Sequence, residues 1–234
     1  MFSFRRLAIL LIAAVILTAT VTAQSGSPKR EMTVEESYLM ESIEIMIIRE
    51  TASSNSREQK MRALEFIGEA LDRGNKNDEI RRTLESLSTE GTRSVARERG
   101  RVMNNYPEVR RQAVRYLGQI GTEEARQSII QVLQSENEPM VIQEAIKALG
   151  DIGTNENNET VANICWIMDR NINLNPDNIM AHETINAFEK IARKNNGLNS
   201  PEAIQTLLRI SEGSFISPVR NRARQLLADL RSYR

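Results

Sequence analysis

Three kinds of side chain in this sequence could carry chemistry: one histidine, one cysteine and an abundance of carboxylates. His182 and Cys165 are each the single residue of their type. A catalytic or metal-binding histidine needs companions, either a partner acid or base or further ligands. Neither a second His nor a usable thiol accompanies it. His182 is therefore expected on the surface, and Cys165, next to Ile164, as a small apolar group on the buried face of a helix. Asp and Glu total 31, but no pair stands out from the pattern of a helical surface, although carboxylate dyads need no local motif. The chain has no Gly-rich phosphate loop, no spaced Cys/His cluster and no nucleophile elbow. The reading is a non-enzyme: no catalytic residues, no cofactor and no metal.

Two arginine clusters raise the question of polyanion binding. Arg110, Arg111 and Arg115 lie beside Glu108 and are expected opposite Glu123 and Glu124, on a solvated outer face with pairs within the helix. Arg93, Arg97, Arg99 and Arg101 surround Glu98; this cluster could meet an acidic partner, but surface charge is the simpler account. The whole chain balances 31 basic against 31 acidic residues. No strong field exists to steer nucleic acid or an anionic membrane surface.

The first residues concern compartment. Arg5 and Arg6 precede the apolar run Leu7–Ala19, and Val21-Thr22-Ala23 offers small residues for a signal peptidase. Residues 1–23 are expected to be a cleaved Sec signal peptide, with Gln24 as the new terminus; the twin arginine is a weak hint of Tat export. The alternative is an uncleaved N-terminal membrane anchor, for which the run is short against the roughly 20 apolar residues of a span. With no Cys near the cut, a lipoprotein anchor is excluded. The mature protein would be periplasmic or secreted, with no stable membrane span, and its lone Cys165 cannot form an intramolecular disulfide. Residues 24–31 read as a polar, disordered leader, and 32–234 as the folded domain.

The elements that must position everything else come from an internal repeat. PEVRRQAVRYLGQIG from Pro107 and PMVIQEAIKALGDIG from Pro139 share Pro, Val, Ala, Leu, Gly, Ile and Gly at matching places, 32 residues apart. Val109, Ala113, Leu117 and Ile120 share one helical face. Pro107 suits the first turn and Gly121 the stop. A second helix, about 122–134, buries Ala125, Ile129 and Leu133, so the unit is an antiparallel helix pair. The first-helix pattern returns at Met180, Thr184, Phe188 and Ile191, at Val219, Ala223, Leu227 and Leu230, and at Ala63, Ile67 and Gly68. A single pair cannot bury its apolar faces; stacking completes the core. The long gap between Ala63 and Ala113 predicts an extra helix at about 92–104. Another is expected near 33–52, with Thr33 and Glu36 as a capping box, and its Met40, Met46, Ile47 and Ile48 suit a cap on the stack. NENNE at Asn155–Glu159 and KNNGLN at Lys194–Asn199 read as turns between repeats.

The run P-x-V-x-x-x-A-x-x-x-L-G-x-I-G at 107–121 and 139–153 resembles HEAT repeats, particularly the short variety called PBS-lyase HEAT-like repeats. The likeness is strong over about 105–170 and weaker over 56–90 and 176–232. It implies an all-α fold: an α-solenoid of stacked antiparallel helix pairs, a HEAT-like superhelix, following the signal peptide. Such solenoids usually serve as protein-binding scaffolds, although some relatives attach bilins to phycobiliproteins and others excise alkylated DNA bases. The signal peptide argues against both of those compartments, and a glycosylase would also want a basic groove.

In that family the second helix of each pair lines the concave side. Counting from the core anchors Ile80, Ala125, Val161 and Ala203, positions two and six further on point away from the core. They hold Arg82, Gln127, Asn163 and Gln205, and Ser86, Gln131, Ile167 and Arg209. These eight are the candidate partner-binding residues, expected as two rows along the inner face. Trp166, five past its anchor, is expected in the seam between repeats. The functional expectation is an exported, non-enzymatic scaffold binding a protein or peptide through its concave face or an end, with no nucleic acid. The alternatives are an assembly component of an envelope complex, and an enzyme of HEAT-like fold. The last helix, ending at Arg231–Arg234, lacks an obvious polar cap, so self-association through the ends is a further expectation.

Overall fold

The computed structural model describes residues 33–93, 95–172 and 176–233. The signal peptide and leader expected at 1–31 lie outside the described residues. The chain divides into two units, Met1–Ser42 and Ile43–Arg234. Of the first, the structure describes the start of helix α1 (Val34–Ser53). The expected capping box is formed there: Thr33 N–H donates to the Glu36 carboxylate at 3.0 Å, and Glu36 N–H to the Thr33 hydroxyl at 3.2 Å. Along α1, Ile48 and Ala52 are buried, whereas Met40, Met46 and Ile47 are exposed. The packing expected of an apolar cap is therefore carried by the Ile48 face alone.

In the second unit, helices follow one another as α2 (Arg57–Asp72), α3 (Asp78–Ser88), α4 (Pro107–Ile120), α5 (Glu123–Ser135), α6 (Pro139–Ile152), α7 (Glu159–Ile172), α8 (Asn178–Lys194), α9 (Pro201–Glu212) and α10 (Ser217–Asp229). They pack in two layers. One runs α2–α4–α6–α8–α10 and the other α3–α5–α7–α9, each helix against the next of its own layer. This is the stacked-pair α-solenoid that the repeat predicts. The anchors Ala63, Ala113, Ala145, Thr184 and Ala223 are wholly buried, as are Val109, Leu117, Ile129 and Leu133. Each large aliphatic side chain so buried contributes on the order of 2 kcal/mol.

The repeat glycines have two physical tasks. Gly121 and Gly153 end α4 and α6 with φ of 72° and 70°, the left-handed cap that glycine adopts without steric cost. Gly118 and Gly150 allow close approach between neighbours. A Cβ on Gly118 would sit 2.8 Å from the Ala148 Cβ of α6, and one on Gly150 would sit 2.6 Å from the Ala187 Cα of α8.

The expected helix at 92–104 is instead a β-hairpin. Strand β1 (Arg97–Glu98) pairs antiparallel with β2 (Arg101–Val102), Arg97 opposite Val102 and Glu98 opposite Arg101. Arg99 and Gly100 make the turn with φ of 48° and 82°, the double left-handed conformation of the tightest hairpins. Nonlocal bonds favour the ribbon: Met103 N–H donates to the Ala96 carbonyl at 2.9 Å, and Ala96 N–H to the Asn104 side-chain oxygen at 2.8 Å. The ends of the insertion meet where a Cβ on Gly91 would strike the Asn104 carbonyl oxygen at 2.3 Å.

The last helix carries the expected buried stripe and a polar opposite face. α10 buries Val219, Ala223 and Leu226 and exposes Asn221, Arg224, Gln225 and Asp229. Ile216 before it and Tyr233 after it are exposed as well. Among the described residues, no helix is long and apolar enough to cross a membrane.

Candidate functional site

The second-helix layer holds a groove of about 440 Å³ between α3 and α5. From α5 come Glu123, Glu124, Gln127, Ser128 and Gln131; from α3 and the turn after it come Glu85, Ser88, Thr89 and Arg93. Helical spacing explains the α5 set. Glu124, Gln127, Ser128 and Gln131 recur at intervals of three and four, opposite the buried stripe of Ala125, Ile129 and Val132.

Polar bonds hold the lining. The Ser128 hydroxyl donates to Glu85 Oε1 at 2.8 Å and contacts the Glu124 carbonyl at 2.9 Å. Arg93 donates to Gln131 Oε1 at 2.6 Å, which leaves the Gln131 amide N–H groups for a ligand. Gln127 donates to Glu123 at 3.1 Å and to Glu159 of α7 at 2.9 Å. Beneath them Arg126, almost fully buried, donates to Glu123 at 2.8 Å, to Glu159 at 2.7 Å and to the Thr160 hydroxyl at 2.9 Å. Hydrogen bonds from Arg126 hold the Glu123 and Glu159 carboxyls below the usual carboxylate range, joined at Glu159 by Gln127. The Arg126 pKa is raised in turn, chiefly by the Glu123 bond. Glu124 is exposed, and its carboxylate has no hydrogen-bond or ion-pair partner among the described residues. The groove thus offers amides, hydroxyls and an unpaired carboxylate on a scaffold of fixed helices.

Of the eight residues expected in two rows, the structure brings Gln127 and Gln131 into this groove. Ser86 is exposed on α3. Gln205 lines a different hollow, of about 540 Å³, with Leu198, Pro201 and Ile204. The remaining polar members bond to neighbours: Arg82 to Asp78 and Glu79, Asn163 to Gln134 at 3.0 Å, and Arg209 to Asp169. Ile167 is a correction. It is wholly buried because α7 lies between α5 and α9 and against α8, so its apolar arc widens to take in Ile164, Ile167 and Met168. The sequence reading missed Glu85, Arg93 and Ser128. Ser128 follows Gln127 directly, and a wider polar arc on α5 would have found it; Arg93 depends on the path of the insertion.

Other assignments divide similarly. His182 is exposed. Cys165 is buried, and burial pushes its thiol up to about 11 against a hydrogen bond with Thr206, which favours the thiol over the thiolate. Trp166, expected in the seam between repeats, is 46% exposed, with the Arg170 guanidinium 5.8 Å from its ring centroid and Arg170 reaching back to Asn137 of the preceding repeat. Among the described residues, no three His, Cys, Asp or Glu side chains are placed to hold a metal.

The expected solvated arginine face is corrected most sharply. Arg110 is 1% exposed and pairs with the equally buried Glu136, at 2.7 and 3.2 Å. It also donates to the Glu90 carbonyl at 3.0 Å and to Asn105 at 2.9 Å. Glu90 in turn accepts from Lys60 at 3.1 Å and from Asn104 at 2.6 Å. Arg111 and Arg115 do not pair with Glu123 or Glu124; both reach Glu144 on the next helix of their layer, at 3.2 and 2.9 Å.

Comparisons with known proteins agree with this geometry. The family model for HEAT repeats matches residues 102–165. The structure of the complex of CpcE and CpcF of phycocyanin lyase from Nostoc sp. PCC7120 superposes with a TM-score of 0.54 at 16% identity, over 92% of this chain and 72% of that one. A de novo designed 16-helix transmembrane nanopore aligns over 84% of this chain and 62% of its own at 16% identity, but its TM-score of 0.19 carries no argument. No curated protein matches the sequence. The chain is a HEAT-like α-solenoid, with HEAT repeats matched over residues 102–165.

Proposed function

We propose that this protein is an exported, non-enzymatic interaction scaffold that binds a protein or peptide segment in the groove between α3 and α5. The observation that carries the reading is the groove itself: Gln127, Ser128, Gln131 and Glu124 stand on one rigid helix face and offer donors and acceptors in register. Hydrogen-bonding groups on fixed helices suit recognition of a peptide main chain, because little side-chain entropy remains to be lost on binding. The α-solenoid fold supports an extended contact surface, and the similar solved structure is itself a complex of two proteins. That structure belongs to a lyase, so an enzyme of this fold is the second reading. The buried Cys165 and the solitary His182 do not favour it. Export is supported by the basic, apolar and small-residue succession of residues 1–23.

The test is photo-crosslinking in native cells from a reactive residue at Gln131, with and without Ser128→Trp, which fills the groove. Mass spectrometry of the recovered protein also reads its N-terminus, expected at Gln24. A reproducible protein adduct that disappears with Ser128→Trp supports the reading. An adduct that Ser128→Trp leaves undiminished overturns the groove as the site.

A further inference from the structure

The hairpin that replaces an expected helix is built as a cationic arm on a rigid base. Its base is buried and fully bonded. Asn104, almost inaccessible, holds the hairpin through Ala96 N–H and holds Glu90 at 2.6 Å. Glu90 is clamped by Lys60, whose ammonium also donates to the Ala52 carbonyl at 2.9 Å. Beyond this base everything is exposed: Arg97, Arg99 and Arg101, outnumbering the one carboxylate, Glu98, opposite Arg101, together with Val95, Val102 and Met103. Arg97 reaches only the Gly100 carbonyl, at 3.4 Å, while Arg99 and Arg101 make no ion pair or side-chain hydrogen bond among the described residues. Several other arginines of this chain bind a carboxylate of a neighbouring helix, as Arg57 does Glu108 and Arg222 does Glu189. Arg97, Arg99 and Arg101 are instead held on an ordered ribbon with no ion pair among the described residues.

We infer that the β1–β2 hairpin is a docking arm for an extended acidic segment of a partner protein, whose carboxylates pair with Arg97, Arg99 and Arg101. The ribbon has two strands and so two outer edges, each with main-chain groups open to a further strand. Paired guanidinium–carboxylate bonds then add charge assistance to strand addition. Arg97 and Val102 share one face of the ribbon and Glu98 and Arg101 the other, so a segment with carboxylates on both faces and an apolar side chain among them, to meet Val95, Val102 or Met103, suits the arm. A polynucleotide fits less well. Its closely spaced phosphates would run from the arm toward Glu85, Glu123 and Glu124, since Arg93 at the foot of the arm lines the same groove. This proposal goes beyond the groove and does not depend on it.

The test is fluorescence anisotropy of the purified protein with three labelled probes: a short Glu-rich peptide with interspersed Val, its Gln-for-Glu counterpart, and single-stranded DNA. The acidic peptide is expected to bind, and its affinity to fall with added salt. Arg99→Asn with Arg101→Gln is expected to weaken it by about tenfold or more; Asn tolerates the left-handed turn, and an unchanged melting curve certifies the fold. Ser128→Trp, which closes the groove, is expected to leave this binding intact, separating failure of the arm from failure of the groove. No binding of the acidic peptide, equal binding of its Gln counterpart, preference for DNA, or indifference to the double variant would each overturn the proposal.

Discussion

Between α4 and α6 the chain brings two helices together over Gly118 and Ala148, with Val109, Ala113 and Leu117 sealed behind them. Between α3 and α4, where the sequence inserts an extra stretch, the interior holds Lys60, Glu90, Asn104 and Arg110 with Glu136. Both joints exclude water and both are tightly closed. The first does so by shape, and every atom is replaceable by another of similar volume. The second does so by satisfying charges, and its members are mutually dependent: removing one strands another in a medium that cannot solvate it. A regular repeat can therefore be copied along a chain, whereas the insertion must be specified group by group.

The sharpest way to break the comparison is Arg110→Met. It leaves the Glu136 carboxylate buried without its cation and is expected to cost about 3–5 kcal/mol in urea denaturation. Adding Glu136→Gln, which neutralises the stranded charge and can still accept from Asn137 and Glu138 N–H, is expected to recover part of that loss. A single variant within experimental error of wild type would show that the joint does not depend on the pair.

At the shape-based joint, Gly118→Ala is expected to cost about 1–3 kcal/mol by overpacking, because the new methyl lies 2.8 Å from the Ala148 Cβ. Ala148→Gly in the same chain should relieve it, and failure of that rescue in the same denaturation assay would point to another source of strain.

The smallest effect sharpens the contrast at Glu144, a buried carboxylate whose arginine partners are partly exposed. Burial works to raise its carboxyl, but hydrogen bonds from Arg115 and Arg111 and the charges of Arg115 and Lys147 win, leaving it below the usual range. A folded-state value depressed below the unfolded one stabilises the fold above the ordinary glutamate range and ceases to do so as pH falls through the depressed value. Glu144→Gln is therefore expected to cost about 1 kcal/mol or less at neutral pH, a gap that narrows in acid. A gap that widened on acidification would reverse the sign of the argument.

How far the sequence could be read follows the same division. Thr33 and Glu36 announced a helix start because capping is settled within one turn. Leu117, Gly121 and Ile129 announced their places because a helical face is a matter of spacing. The helix expected at 92–104 rests on the length of the gap between Ala63 and Ala113 alone; within Arg97–Val102 only Gly100 hints at a turn, and the deciding bonds come from Asn104, itself held by Glu90. Arg110 and Arg111 stand side by side in the chain, one sealed and one half-open, and no local pattern distinguishes them. Of the candidate rows, Gln127 and Gln131 kept their face, while Ile167 lost its exposure to the helices on either side of it.

The sequence by itself determined the helices, their pairing and the identity of the buried stripe, because periodicity, capping and glycine stops act over a few residues. Only the tertiary structure decided which charges are buried, which cations are left for a partner and where a groove opens. Those outcomes depend on what stands opposite each side chain, and in a stack of repeats the opposite residue is supplied by another turn of the solenoid.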